Sequence, residues 1–502
     1  MILTFGITAS AVGYFVLTIY IMALIYITFF CLMQFHLLWK YQKQKGVPGI
    51  KVHPDFDQGQ DLPFVTIQLP IYNERYVVER LIDCIAAFKY PKHRFEIHLL
   101  DDSTDDTKEI TLKKVEEYKA RGFNIEQFTR EDRTGYKAGA LRDGMKYAKG
   151  EFIAIFDADF LPNPEFLLET IPYFSNPKVG VVQTKWEHIN QDYSLITKLQ
   201  AFQLNVHFTV EQTGREAGNY LLQFNGTGGI WRRETIDDAG GWEADTLTED
   251  LDLSYRAQLK GWEIKYLQEI GSPAELPAEM NGLKSQQFRW MKGGAETAKK
   301  MLPTVWKSDL ALAKKIHATL HLLSSTIFVF VFLVGVFSVP VMFLLKPLGI
   351  NADYFGIFLI GLLTIGAVYY VGNNDSDWKG QSKLKAILKF VFLFPIFLSL
   401  SMGLSLHNTI AVLQGYMGKK SPFVRTPKFD ITGLSDSFKR RHYIARKIPF
   451  TTIIEGLLAL YFLFAIVLSI LYADTSFILF HFLLMVGYGS ICFYSLRHVS
   501  LK

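Results

Sequence analysis

The sequence predicts an α/β domain inserted between membrane-spanning α-helices. Three observations lead to this prediction. Both ends of the 502-residue chain contain long apolar runs with almost no charge, whereas roughly residues 50–310 mix charged residues with Gly and Pro. Each apolar run approaches or exceeds the length of about 20 residues that a helix needs to cross a bilayer. The middle stretch alternates β-rich apolar runs with helical patterns, which is typical of a parallel sheet covered by helices.

Six apolar segments are candidates for membrane spans: Ala11–Leu38, Ala318–Leu345, Tyr354–Val371, Ala386–Leu413, Thr452–Ala473 and Phe477–Leu496. Lys40, Lys43 and Lys45 follow the first segment, so the positive-inside rule places the N-terminus outside and residue 41 onward inside. If all six segments crossed, the strongly basic stretch 415–450 would lie outside, against the same rule. We therefore expect Ala386–Leu413, which carries a proline and several polar residues, to be interfacial or re-entrant. This leaves five spans, with a full sixth span as the alternative.

The remaining composition narrows the class of protein. The net charge is only +5 and no basic stripe is interleaved with aromatics, so nucleic acid is not an expected partner. The three cysteines lie far apart, which fits a domain that faces the reducing cytosol. Glu296–Ile316 alternates lysine pairs with apolar residues, which predicts an amphipathic helix on the bilayer. An ordinary surface helix of the domain is the alternative.

Within the middle stretch, acidic residues fall where predicted strands end. Strands are expected at Val65–Leu69, Glu96–Leu100 and Phe152–Phe156, and helices at Glu79–Phe88 and Thr107–Arg121. In open α/β sheets, ligands bind outside the carboxyl ends of the strands.

Asp101 and Asp102 end the second strand, and Asp157 and Asp159 end the third. Residues i and i+2 of an extended segment point to the same side, so the carboxylates of Asp157 and Asp159 would repel unless a cation lay between them. Mg²⁺ or Mn²⁺ shared with diphosphate oxygens is the expected solution. Ordinary turn chemistry is the alternative.

Thr248-Glu249-Asp250 precedes a helical pattern. It is either a helix N-cap with acids in the first turn, or a site whose Asp250 acts as a general base toward a sugar hydroxyl. Gln286-Gln287-Phe288-Arg289-Trp290 offers an arginine that can clamp a diphosphate and a tryptophan face on which a sugar ring can stack. Packing of the Arg–Trp pair is the alternative. Lys137, beside the turn glycine Gly135, is interpreted as a phosphate ligand or as a solvated lysine at a helix start.

In the order Asp102, Asp157-x-Asp159, Thr248-Glu249-Asp250 and Gln286-x-x-Arg289-Trp290, the chain resembles the inverting, processive family 2 glycosyltransferases of the cellulose synthase superfamily. The surrounding sequence is most similar to cellulose-synthase-like A and C proteins, which make mannan, glucomannan or glucan, and to their bacterial relatives. The segments that carry this similarity are LPIYNE, LLDDSTDDT, TGYKAGAL, AIFDADF and FNGTGGIWRR. The resemblance implies a GT-A catalytic domain. It divides the chain into an N-terminal transmembrane helix (1–45), a cytoplasmic GT-A domain (46–300), and interfacial and transmembrane helices with a gating loop at about 415–450 (301–502).

The resemblance also implies roles for individual residues. Asp250 would be the base, with Glu249 and Asp102 in the catalytic set, and Asp157 and Asp159 would bind Mg²⁺ or Mn²⁺. Phe423–Lys428 is similar to the gating loop, with Arg425 where the family often has Val. The implied substrate-binding residues are Tyr72, Glu74, Asp102, Lys137, Asn225, Gly226, Gln286, Arg289 and Trp290, and Phe224 belongs to the region that contacts the acceptor.

The main functional prediction is a multi-pass membrane enzyme of a plasma, inner or Golgi-type membrane, with its catalytic domain in the cytosol. It would transfer hexose from UDP-glucose or GDP-mannose to a growing β-linked glycan and translocate the product. Its partners would be the donor, the glycan and the bilayer, while accessory export proteins are not indicated. The alternatives are a transferase that adds a single sugar to a lipid and a transporter with a regulatory domain.

Overall fold

The structure, a computed structural model, describes residues 2–46, 62–421, 424–433, 436 and 448–499. The strands are β1 (Val65–Ile71), β2 (Phe95–Asp101), β3 (Ile125–Thr129), β4 (Phe152–Ile155), β5 (Val179–His188), β6 (Gly229–Arg232) and β7 (Glu263–Ala274). The helices up to the end of the α/β domain are α1 (Ile2–Gln44), α2 (Val78–Ala86), α3 (Thr107–Ala120), α4 (Tyr136–Gly144), α5 (Phe166–Thr170), α6 (Leu195–Val206), α7 (Gln212–Ala217), α8 (Arg233–Asp238), α9 (Glu249–Leu259) and α10 (Met280–Lys307). Those that follow are α11 (Leu312–Leu322), α12 (Ile327–Leu344), α13 (Leu359–Asn374), α14 (Lys383–Gly403), α15 (Ser405–Tyr416), α16 (Phe450–Leu471) and α17 (Ile478–Arg497).

The strands form one sheet in the order β3-β2-β1-β4-β6-β5-β7. The strands predicted from sequence are present with ends shifted by at most two residues, and β1, β2, β3 and β4 are parallel as expected. The sheet as a whole is mixed, because β6 runs antiparallel to both β4 and β5. This strand has only four residues and follows a loop rather than a crossover helix, so its direction leaves no periodic signal in the sequence.

Both faces of the sheet are covered, which explains why its parallel strands are apolar along their whole length. In β4, Phe152 and Ala154 pack in the apolar layer that contains α2. Ile153 and Ile155 pack in the opposite layer, which contains residues of α8 and α9. Charged residues therefore concentrate just beyond the strand ends, where the covering layers stop.

Six helices are long and apolar enough to cross a membrane, among the residues that the structure describes. Five of them overlap spans predicted from sequence, with ends that differ by at most six residues; the fourth candidate differs more. Ala386–Leu413 is not one helix, because the chain breaks at Leu404 into α14 and α15. The shorter α15 packs on α10, where His407 Nε2 donates to the Lys284 carbonyl at 2.9 Å.

Helix α14 contacts both the α/β domain and a candidate membrane helix. Near its N-terminus, Ala386 packs in a cluster with Phe202 of α6. Just beyond its C-terminus, Leu404 packs with Ile196, also of α6. The helix also packs along α17, a candidate span, where Ser399 Oγ donates to the Leu483 carbonyl at 2.6 Å.

The prediction of a single amphipathic helix over Glu296–Ile316 is wrong. The chain leaves the helical path after Lys307 and starts a new helix at Leu312. Met301 and Val305 are buried in an apolar cluster with Leu251 and Tyr255 of α9, so this face holds the domain instead of facing lipid. The exposed apolar residues of this stretch include Trp306, Leu312 and Ile316.

A buried ion pair joins the α/β domain to the helices that follow it. Lys284 Nζ of α10 lies 2.8 and 2.9 Å from the two carboxylate oxygens of Glu455 in α16, and both side chains are at most 4 % exposed. Removing one partner of such a pair leaves a buried charge uncompensated, which is strongly destabilising. The pair therefore fixes α10, which carries Gln286, Arg289 and Trp290, against a candidate membrane helix.

Candidate active site

A cavity of about 220 Å³ lies at the carboxyl ends of β1, β2 and β4. Every site residue predicted from sequence contributes to its lining: Tyr72, Glu74, Asp102, Lys137, Asp157, Asp159, Asn225, Gly226, Glu249, Asp250, Gln286, Arg289 and Trp290. Two other residues singled out in the sequence are not among the lining residues. Asp101 is buried and accepts hydrogen bonds from the Ser103 N–H and Gln127 Nε2, and Phe224 is buried against Trp231.

At one end of the cavity, aromatic and guanidinium planes form a surface that suits a nucleobase. The Arg133 guanidinium lies 3.2 Å from the centre of the Tyr72 ring. Arg130 donates through Nε to Asp102 Oδ1 at 3.0 Å and through Nη2 to Asp102 Oδ2 at 2.5 Å. Asp102 is therefore held by a two-point contact, the geometry that arginine favours with carboxylates. Sequence reasoning missed both arginines, because neither belongs to a motif.

The two aspartates predicted to bind metal are each paired with a lysine. Lys137 Nζ donates to Asp157 Oδ1 at 2.5 Å and to the Gly226 carbonyl at 2.9 Å. Lys428 Nζ donates to Asp159 Oδ2 at 2.6 Å. These contacts show that Lys137 is not a solvated lysine at a helix start. They use one oxygen of each aspartate, so each carboxylate has a second oxygen for a cation, and hard oxygen ligands suit Mg²⁺ or Mn²⁺.

A second acidic group has the spacing of a metal site but is occupied by a lysine. Within the described part of the chain, Glu243, Asp245 and Asp252 form a three-acid cluster compact enough to hold an ion. Lys300 Nζ lies 2.6, 2.8 and 3.0 Å from their respective carboxylates. This cluster is an ion-pair network that fixes α10 to α9.

Asp250 lies beside the loop that precedes β6. Gly226 in this loop has φ +82°, and a Cβ atom added to it would lie 3.0 Å from Asp250 Oδ2. Burial and the neighbouring Glu249 raise the pKa of Asp250 to about 7. A carboxylate with a pKa near neutrality is suited to accept a proton from a substrate hydroxyl.

The structure also bears on the capping interpretation of Thr248-Glu249-Asp250. Thr248 occupies the N-cap position of α9, yet its side chain makes no capping hydrogen bond. Its hydroxyl instead pairs with the Thr297 hydroxyl of α10 at 3.0 Å. A Cβ atom added to Gly293 of α10 would lie only 2.6 Å from Thr248 Cγ2, so α10 packs closely on the start of α9.

Helix α10 presents one face to the cavity. Gln286, Arg289 and Trp290 are spaced i, i+3 and i+4, and residues so spaced share a helix face. Arg289 Nη2 donates to the Thr426 hydroxyl at 2.8 Å. Burial lowers the pKa of Arg289 from its ordinary value, against the opposing effect of the carboxylates around it.

The described part of the predicted gating loop lies over the cavity. Arg425 Nη2 donates to Glu74 Oε2 at 3.1 Å, and Arg425, Thr426 and Lys428 all line the cavity. Phe423 and all residues of 437–447, including the basic ones, lie outside the described residues. Arg425, which stands where the family often has Val, thus forms an ion pair with a residue predicted to hold the nucleotide.

The comparisons with known proteins agree with this geometry. Residues 63–293 match the family model described as "Glycosyltransferase like family 2". The chain is 43 % identical over 276 residues to a probable glucomannan 4-beta-mannosyltransferase 6 of Oryza sativa subsp. japonica, covering 53 % of this chain and 47 % of that protein. It is 39 % identical over 285 residues to glucomannan 4-beta-mannosyltransferase 7 of Arabidopsis thaliana, covering 55 % and 51 %. The chain thus spans about half the length of the curated relatives it matches.

One solved structure shares the fold across its whole length. The mannosyltransferase PcManGT of Pyrobaculum calidifontis, solved in complex with GDP-Man and Mn²⁺, superposes with a TM-score of 0.51 at 16 % identity. The match covers 81 % of this chain and 100 % of that chain. The predicted fold class, a GT-A domain between apolar helices able to span a membrane, is confirmed.

Proposed function

Residues 63–293 form a glycosyltransferase-like family 2 domain, and from that premise we propose that the protein transfers a hexosyl unit from a nucleotide sugar to a growing β-linked glycan. The proposal places the catalytic domain at the cytosolic face of the membrane. It includes inversion at the anomeric carbon and delivery of the product through the membrane helices.

The observation that carries the proposal is that the Gly226 loop links the candidate metal ligand Asp157, through Lys137, to the candidate base Asp250. Lys137 bonds both Asp157 and the Gly226 carbonyl, and Gly226 lies against Asp250. The acids suited to a cation are thereby brought close to the candidate base, with Trp290 in the same cavity. This arrangement suits a donor whose diphosphate lies at Asp157 and Asp159 and an acceptor whose hydroxyl faces Asp250.

Each group has a part in the proposed transfer. Asp157 and Asp159 would hold Mg²⁺ or Mn²⁺, which supplies charge neutralisation for the departing diphosphate. Arg289 adds a guanidinium that can bind the same phosphates. Asp250 takes the proton of the acceptor hydroxyl, and a single displacement assisted by one base inverts the anomeric configuration. NMR of the new linkage with an α-linked donor should therefore show a β product.

GDP-mannose is the first donor to test, because the two plant relatives above are named as mannosyltransferases. UDP-glucose is the second candidate. Membranes that contain the protein should be incubated in parallel with each labelled donor, and the label should enter a polymer. If neither donor nor any other nucleotide sugar labels a glycan, the proposed function is wrong.

Trp290→Ala tests whether the enzyme makes a polymer. Trp290 lines the cavity and is half-buried on α10, the helix that runs toward the candidate membrane helices. A tryptophan face can hold a sugar ring by its apolar side while letting it slide. We expect the variant to make much shorter products, or none, with donor binding retained. Donor binding and product length should be measured on the same purified protein.

Trp306→Ala is the matched control, because Trp306 lies on the same helix but is not among the residues that line the cavity, and its side chain is 49 % exposed. Product length should not change in this control. If Trp290 only packs the core, its variant will lose donor binding and stability together. Polymer of normal length made at the normal rate would remove Trp290 from the mechanism, whereas wild type that adds one sugar would favour the single-sugar alternative.

The five-span topology makes a separate prediction about accessibility. A Lys420→Cys variant in a cysteine-free background should be protected from an impermeant thiol reagent in intact cells, since the exposed Lys420 follows α15 on the cytosolic side. Asp353→Cys, between α12 and α13, is the control and should be labelled from outside. Labelling of both positions from outside would mean that α14 crosses the membrane.

A further inference from the structure

A π-helical turn lies beside the active-site cavity and carries polar side chains that the proposed mechanism has not used. His207–Glu211 forms this turn between α6 and α7. Short π-helical turns inside helices are frequently found at functional sites. The turn brings His207 next to Asn225, although the cavity lining itself includes only Asn225.

Two side-chain nitrogens converge on one oxygen of the Asn225 amide. His207 Nε2 lies 2.9 Å from Asn225 Oδ1, and Gln223 Nε2 lies 2.8 Å from the same oxygen. On its other side, His207 Nδ1 lies 3.0 Å from Glu211 Oε2. The Arg215 guanidinium approaches that carboxylate at 3.4 Å through both Nη1 and Nη2.

The hydrogen-bonding chemistry assigns the direction of each contact. Burial alone would raise the pKa of Glu211, but Arg215 and His207 outweigh it and hold the value at about 2, so its carboxylate only accepts. His207 Nδ1 therefore donates to Glu211. Its Nε2 faces Asn225 Oδ1, so the ring links the Glu211 and Asn225 side chains.

Gln223 is oriented from the opposite side. The His321 ring lies between Tyr255 and Gln223, with Nδ1 2.9 Å from the Tyr255 hydroxyl, and burial lowers the pKa of His321. His321 Nε2 then donates to Gln223 Oε1 at 2.9 Å. The amide nitrogen of Gln223 therefore faces Asn225 and donates to its Oδ1.

The consequence is a fixed orientation for Asn225. Its side-chain oxygen accepts from Gln223 Nε2 and faces His207 Nε2, whereas its Nδ2 is buried and has no hydrogen-bond partner among the described residues. Asn225 is 9 % exposed and lines the cavity, where an unmade hydrogen bond is costly until a ligand supplies the acceptor. It also directly precedes Gly226, which lies against Asp250.

We propose that His207, with Glu211 and Gln223, positions the Asn225 amide so that its Nδ2 donates to a hydroxyl oxygen of the glycan acceptor beside Asp250. His207 is a positioning residue here, since it acts through Asn225. The inference rests on the proposed function for the existence of a glycan acceptor, and it adds the residues that orient the contact.

The test compares acceptor and donor parameters in His207 variants of the full-length purified protein. His207→Phe removes both ring nitrogens, so the KM for a short β-linked oligosaccharide should rise about tenfold, the equivalent of one lost hydrogen bond. The donor Kd, measured by calorimetry, should not change. His207→Gln can still donate to Asn225 through its amide nitrogen and should restore most of the acceptor KM.

His317→Phe is the matched control. His317 lies on the same helix as His321 but pairs with His36 and stacks on Tyr220, so the acceptor KM should stay normal. Should His207→Phe not fold, Gln223→Glu replaces one donor by an acceptor at nearly constant shape and should raise the acceptor KM in the same way.

The outcomes separate this inference from the proposed function. A wild-type enzyme that elongates no oligosaccharide overturns both. A wild type that elongates normally, with an unchanged acceptor KM in His207→Phe and Gln223→Glu, overturns only the positioning role. A rise in acceptor KM that His207→Gln does not reduce, or that comes with an equal loss of donor affinity, overturns it as well, because it points to general disruption of the site.

Discussion

Replacing Asp250 by Asn should lower kcat by about 10²–10⁴-fold, the range typical for loss of a general base. The amide keeps the shape of the side chain but cannot take the acceptor proton. Because the proposed donor contacts involve other residues, donor affinity should be retained. Single-turnover rates and donor Kd, measured on the purified variant, check this result, and near-normal turnover would assign the base to another residue.

The pH dependence of kcat/KM gives an independent check, since this parameter reports ionisations of the free enzyme. Asp250 must be deprotonated to act as a base, so kcat/KM should rise as the pH increases through about 7, the pKa of this carboxyl. Glu249 helps to raise that pKa. In Glu249→Gln the rise should therefore move to lower pH, and an unmoved profile would separate Asp250 from the observed ionisation.

Removal of divalent cations should lower the transfer rate by about 10²–10³-fold, because a bound cation contributes several kcal/mol of charge stabilisation to such reactions. Activity should return with Mg²⁺ or Mn²⁺. The measurement is product formation in excess chelator, followed by titration with each ion. Full activity in chelator would exclude the proposed role of Asp157 and Asp159.

Asp159→Asn and Asp245→Asn form a matched pair for locating the cation. Asp159 lines the cavity, whereas Asp245 belongs to the acidic cluster that Lys300 occupies. Asp159→Asn should raise the metal concentration needed for half-maximal activity, and Asp245→Asn should leave it unchanged. The opposite result would place the ion in the Glu243, Asp245 and Asp252 cluster.

The sequence predicted the location of the acidic residues because their positions depend on local features. β2 and β4 are short apolar strands, and Asp102, Asp157 and Asp159 follow them directly. Parallel strands that lie side by side end at a common edge, so acids that follow such strands meet in space. The apolar helices were equally predictable, since the length and charge of a span are properties of one continuous stretch of sequence.

The sequence did not predict helix breaks or strand direction where these depend on packing. Ala386–Leu413 has a largely apolar first half with a single charge, Lys389, and is helical in pattern, yet the chain breaks at Leu404, where the residue packs against α6 and α10. Glu296–Ile316 has an amphipathic pattern, but its apolar face is buried against α9. An apolar stripe shows that a surface is covered, and it does not show whether lipid or protein covers it.

By itself, the sequence determined that a GT-A domain lies between apolar helices and that its motif residues gather at one edge of the sheet. Only the tertiary structure decided which charges pair there. No motif specifies the relative placement of the segments that these contacts join. The contacts are those of Lys428 with Asp159, Arg425 with Glu74 and His207 with Asn225. The physical reason is that strand and helix periodicity is set by neighbouring residues, whereas an ion pair or an oriented amide forms only after packing has brought its two partners within about 3 Å.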